Sequence, residues 1–101
     1  MYKLVYITAS KKEARKIGKT LVEEKLVACT NIFPIKSIYR WKGKVHEEDE
    51  IAMFAKTKAS LLRKVIKRTK ELHSYECPCI ISIPIEKGYK KFLSWIGKST
   101  K

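Results

Sequence analysis

Ile35-Lys36-Ser37-Ile38-Tyr39-Arg40-Trp41-Lys42-Gly43-Lys44 is the stretch on which the fold turns. Side chains alternate across a strand with period two, so Ile35, Ser37, Tyr39 and Trp41 share one face, and Lys42-Gly43-Lys44 supplies a turn. Further along, Ile51, Met53, Ala55 and Thr57 repeat the alternation. The two runs form a long hairpin. Glu47-Glu48-Asp49-Glu50 is expected to make a bulge or loop within it, and Pro34 to interrupt regular pairing.

Upstream of the hairpin, Leu4-Val5-Tyr6-Ile7-Thr8 reads as a buried strand, and Ser10-x-x-Glu13 as a capping box opening a helix. Ala14, Ile17, Leu21, Val22 and Leu26 give that helix one apolar stripe opposite its lysines. Downstream, Leu61, Leu62, Val65, Ile66, Thr69 and Leu72 signal a second helix ending around His73-Ser74, before Pro78. Ile80-Ile81-Ser82-Ile83-Pro84-Ile85 is nearly continuous in apolar character, which predicts a strand buried on both faces. A short helix with Tyr89, Phe92, Leu93 and Ile96 closes the chain. The order is that of an α+β, ferredoxin-like split βαβ sandwich with a long β-hairpin and an additional C-terminal helix, in one domain over residues 1–101. The hairpin's backbone edges and its Tyr39/Trp41 face call for a partner, and a closed ring of identical chains supplies one without open-ended growth.

With 45% hydrophobic and 33% charged residues, the composition is that of a soluble globular chain. The longest apolar runs fall far short of the roughly 20 residues that span a bilayer, so no membrane partner is expected. The N-terminus lacks the pattern of a secretory signal. Three cysteines, an odd count, with Cys77-Pro78-Cys79 poorly spaced for a bridge, predict reduced thiols and a cytoplasmic location. The net charge of +13 comes from 23 basic and 10 acidic residues. Lys11, Lys12, Arg15, Lys16, Lys19, Arg63, Lys64, Lys67, Arg68 and Lys70 fall mostly on the solvent faces of the two helices. Tyr6 is the only aromatic in the first strand, Ile80 to Ile85 has none, and burial or a subunit interface accounts for Tyr39, Trp41 and Phe54 in the hairpin, so specific nucleic-acid binding is not expected.

Enzyme signatures are absent. The glycines are scattered, without phosphate-loop or dinucleotide spacing, and neither a Gly-x-Ser-x-Gly elbow nor a His-Glu-x-x-His helix occurs. Donor chemistry concentrates in His73-Ser74-Tyr75-Glu76-Cys77-Pro78-Cys79, where His73, Glu76 and Cys79 are the candidate metal ligands. In the blander account His73 caps the helix, Tyr75 packs and Cys77 is buried, just as Cys29 packs as a small hydrophobe.

Leu26-Val27-Ala28-Cys29-Thr30-Asn31-Ile32, Ser37 to Lys44, Lys56-Thr57, His73 to Pro78 and Tyr89-x-x-Phe92-Leu93-x-Trp95-Ile96 together resemble the CutA family of divalent-cation tolerance proteins. The resemblance implies a ferredoxin-like subunit in a homotrimer whose hairpins pair across subunits, with Tyr39 and Trp41 at the interface and an architecture akin to PII signalling proteins. It also implies no catalytic reaction, no required cofactor, and binding of copper or other divalent cations. Where some bacterial relatives have a strand-one Cys and paired His residues, this chain has Ile7 and Leu72, and only His73 matches. Ser74 stands in place of the usual Pro and Cys79 in place of a common Glu, which would favour Cu(I). Two other readings stay open: a PII-like regulator binding an anionic small molecule through Lys56 in an intersubunit cleft, and a basic nucleic-acid binder whose affinity collapses with salt.

Overall fold

The computed structural model describes residues 1–101. The elements are β1 (Tyr2–Ala9), α1 (Ala14–Glu23), β2 (Cys29–Trp41), β3 (Lys44–Lys58), α2 (Leu62–Leu72), β4 (Ile80–Ile85) and α3 (Lys90–Lys98), with a 3-10 turn at Ala59–Leu61 leading into α2. The sheet order is β2-β3-β1-β4 with every pairing antiparallel, the ferredoxin-like arrangement that the element order predicts.

β2 and β3 pair without a break from Cys29 opposite Lys56 to Trp41 opposite Lys44. The bulge expected at Glu47–Glu50 does not form, because cross-strand partners take up the acids within the ladder. Lys36 Nζ meets Asp49 Oδ1 at 2.9 Å, and the Tyr39 hydroxyl donates to Glu48 Oε1 at 2.6 Å. Pro34 pairs opposite Ile51 and does not interrupt the strand, since β2 is an edge strand with one neighbour. Lys42 (φ 51°) and Gly43 (φ 78°) make a two-residue turn of the primed type that matches strand twist. Gly43→Val is expected to lower unfolding free energy by about 1–2 kcal/mol through backbone strain, whereas Lys42→Asn should leave it unchanged or slightly raised; urea denaturation checks both.

The pairing registers sort the apolar residues between two sheet faces. Val5, Ile7 and Ala9 of β1 lie beside Met53, Ala55 and Thr57 of β3, under α1 and α2, and with Ala14, Ile17, Leu21 and Val65 they form the core. Gly18 lets α1 approach the sheet closely, since a Cβ there would sit 3.0 Å from Thr30 Oγ1. Ile35, Tyr39 and Trp41 fall on the opposite face, together with Tyr6, Phe33, Phe54, Ile81 and Ile83. That face has no helix pair over it. Ile81 and Ile83 are 53% and 44% exposed, so the expectation that β4 is buried on both faces fails within one chain. β4 is the other edge of the sheet, and of its residues Ile80 is the one that packs on the core. Helix α3 buries Ile96 and leaves Phe92 and Trp95 half-exposed. The hairpin beyond Ile35 and Glu50 stands in solvent, and the molecule measures 44 × 25 × 21 Å.

The capping box also resolves differently. Helix α1 begins at Ala14, and Ser10 contributes its carbonyl, which accepts from the Glu13 and Ala14 amides at 3.2 and 3.0 Å. The Glu13 side chain caps nothing on its own helix. It reaches instead to the segment after α2.

Candidate functional site: the 73–79 segment and the hairpin groove

The segment from His73 to Cys79 is pinned along its length. His73 is the C-cap of α2 and is buried. Its Nε2 lies 2.7 Å from the Thr8 carbonyl oxygen, an acceptor, so Nε2 carries the ring proton and donates. Nδ1 accepts from the Tyr75 amide at 3.2 Å. Glu13 Oε1 accepts from the Ser74 hydroxyl at 2.9 Å and its amide at 3.3 Å, and lies 3.2 Å from His73 Nδ1. The hydroxyl at position 74 thus supplies an anchor that a proline could not. The Tyr75 hydroxyl donates to Glu50 Oε2 at 2.8 Å, and the Thr8 amide donates to the Cys79 carbonyl at 3.3 Å.

Beside this segment lies a groove of about 930 Å³ whose other wall is β2 from Ile35 to Trp41, Lys36 and Arg40 included. Tyr6, Thr8, Tyr39, Trp41, Glu48 and Glu50 line it from the sheet, and Tyr75 to Cys79 line it from the segment. The candidate ligands therefore separate. Glu76 and Cys79 border the groove, while both ring nitrogens of His73 are engaged elsewhere. Within the chain, no three His, Cys, Asp or Glu side chains converge on a point that could hold a metal ion. His73, Glu76 and Cys79 do not make a closed site together, because α2 ends by turning the imidazole inward, onto β1.

Burial pushes the Cys79 thiol up, the nearby Glu50 carboxylate adds to that, and a hydrogen bond involving Thr8 opposes it. The Tyr39 phenol is pushed up to about 12, first by its hydrogen bond to Glu48 and then by burial. Burial and then the hydrogen bond to Glu50 push the Tyr75 phenol still higher. A raised phenol stabilises the fold fully below its unfolded value near 10.0, and that stability is lost as pH rises through the folded value. Stability should therefore fall between pH 10 and 12, and the fall should flatten when Tyr39 and Tyr75 are both replaced by Phe; chemical denaturation along a pH series measures it.

Lys56 pairs with Asn31 Oδ1 and does not line the groove. All three cysteines are free. Sequence reasoning missed Glu50 and Thr8, which lie far from the 73–79 segment in the chain: Thr8 meets it at the end of the β1–β4 ladder, and Glu50 is brought beside it by the pairing of β3 with β1. Of the basic residues assigned to the solvent faces, Arg68 is engaged, its guanidinium meeting Glu24 at 2.8 and 2.9 Å and holding that carboxylate below its usual range.

The sequence profile of the CutA1 divalent ion tolerance protein matches residues 3–99. The chain belongs to the CutA1 family. It is 48% identical over 102 residues to the divalent-cation tolerance protein CutA of Archaeoglobus fulgidus, with both chains covered in full, and 43% identical over 102 residues to that of Thermus thermophilus, with 99% of each covered. The solved A. fulgidus CutA, described as periplasmic, superposes with a TM-score of 0.96 over the whole of both chains. The PII-like protein CutA from Nostoc superposes with a TM-score of 0.95 at 30% identity, over 98% of this chain and 97% of that one. The CutA1 relatives are named for cation tolerance and not for a reaction. No helix here is long and apolar enough to cross a membrane.

Proposed function

We propose that the chain is a non-catalytic homotrimer of the CutA1 kind, acting in cation tolerance, in which Glu76 and Cys79 at the groove are the cation donors. The end-to-end match to relatives named divalent-cation tolerance proteins carries this reading. The trimer is supported by the apolar face that α1 and α2 leave uncovered and by the solvent-exposed hairpin that bears Tyr39 and Trp41. His73 takes the part of a positioning group: its two hydrogen bonds hold the segment on which both donors sit. Two donors per chain support open, weak coordination, since closed structural sites use four ligands. No required cofactor is assigned. Three free thiols favour the cytoplasm.

A thiol at the groove suits copper as Cu(I). Binding must displace the thiol proton, and because that thiol is raised, affinity should climb as pH rises above neutrality. Competition against a Cu(I) chelator between pH 7 and 9 tests this. Cys79→Ser is expected to weaken binding at least tenfold and to remove the pH dependence; equal affinities for the two proteins would remove Cys79 from the site. The PII-like alternative has less support, because Lys56 is paired with Asn31 and stands away from the groove.

A further inference from the structure

Helices α1 and α2 gather unpaired positive charge on one surface. Their apolar stripes face the sheet, so helical periodicity turns Lys12, Lys16 and Lys19 outward from α1 and the turn before it, and Arg63, Lys64 and Lys67 outward from α2. All six are exposed, and none forms an ion pair. The acids of the same layer are mostly engaged. Glu24 and Glu71 hold Arg68, and Glu13 reaches Ser74, which leaves Glu23 at the end of α1. The Glu24–Arg68 bridge ties the two helices side by side. Packed helix axes lie about 8–10 Å apart, so the two rows of cations make one patch. The hairpin carries the opposite bias, with Glu47, Glu48, Asp49 and Glu50 in one run.

We propose that this patch docks the phosphodiester backbone of duplex nucleic acid, independently of base sequence. A duplex presents closely spaced negative charge that Lys and Arg neutralise, with release of condensed counterions. The make-up of the patch narrows the partner to that backbone. Neither helix carries a Phe, Tyr or Trp, so nothing on it stacks on the open bases of a single strand. The exposed apolar side chains of the two helices are Val22 and Ile66, each 37% exposed, too little apolar area to anchor in a lipid surface. Phosphate contacts, in contrast, need only the cations. The patch lies on the sheet face opposite the one proposed to join copies, so the proposal holds for a monomer and a trimer alike.

Fluorescence anisotropy with labelled DNA duplexes of two unrelated sequences, titrated at several KCl concentrations, tests this. Six phosphate contacts predict that the logarithm of the binding constant falls against the logarithm of salt with a slope of about −5, alike for both duplexes. Lys16→Gln/Lys64→Gln/Lys67→Gln should cut that slope by about half and weaken binding at least about tenfold near 0.1 M KCl. Lys87→Gln/Lys90→Gln/Lys91→Gln removes the same net charge from exposed positions outside the helix pair and should leave the slope unchanged. Every substituted side chain is exposed, and circular dichroism verifies that both variants fold. Equal losses in the two variants would mean that net charge alone attracts the duplex, and would overturn the patch. So would a preference for one sequence, a failure to bind near 0.1 M KCl, or capture by phosphatidylserine vesicles that outlasts duplex binding as salt rises.

Discussion

A His73→Ala chain is expected to lose about 3 kcal/mol of unfolding free energy, a large share of what holds a domain of this size. The imidazole is buried and makes two hydrogen bonds, one to the Thr8 carbonyl and one from the Tyr75 amide. Truncation leaves that carbonyl and that amide without partners, at about 1–3 kcal/mol for each group that stays dry, and opens a cavity between α2 and β1. Part of the loss is recovered as water enters, which brings the sum to the stated figure. Urea denaturation monitored by circular dichroism measures it. The same variant separates two roles for this residue. A positioning group lowers stability and loosens Glu76 and Cys79 together, whereas a ligand would lower metal affinity and leave the apoprotein's stability nearly intact.

The second large effect concerns assembly. Ile83→Asp, on the sheet face that α1 and α2 leave uncovered, is expected to dissociate the proposed trimer at micromolar concentration while the subunit stays folded. Ile83 is 44% exposed in the isolated chain, so a carboxylate there keeps much of its water in the monomer. In the proposed trimer the same carboxylate would be buried among Tyr6, Ile81 and their counterparts, an uncompensated charge that costs several kcal/mol. Sedimentation velocity reads the mass, and circular dichroism reads the fold. A folded trimer with Ile83→Asp would remove this face from the interface.

Much of the fold is legible in the sequence because its signals are periodic. In the α1 stripe Ala14, Ile17 and Leu21 enter the core while Val22 stays exposed and Leu26 packs from beyond the helix; in α2 Val65 is buried and Ile66 is not; and the β3 alternation sends Met53 and Ala55 inward. The failures come where a side chain's partner is remote. Glu13 looks like a capping residue for its own helix, and its carboxylate goes to Ser74 and His73 across the domain. The Glu47–Glu50 run looks like a loop by composition, yet Lys36 and Tyr39 on the facing strand hold two of its acids in register. β4 has the composition of a buried central strand and lies at an edge, because hydrophobicity reports that a surface will be covered and says nothing of which chain covers it.

The site was half legible for the same reason. The 73–79 segment announces itself by its density of donors, and the resemblance to CutA rests partly on it. Its interior wiring depends on Thr8 and Glu50, which no spacing rule connects to it. His73 illustrates the difference between a ligand type and a ligand. Its position at the end of α2 and its inward hydrogen bonds engage both ring nitrogens, which residue identity alone could not reveal.

If the exposed apolar sheet face and the projecting hairpin are the contact surfaces of the proposed trimer, sedimentation equilibrium of the wild-type chain at micromolar concentration will give a single species of three times the 11.8 kDa chain mass; a monomer, with Ile81, Ile83, Tyr39 and Trp41 left in water, would refute that assembly.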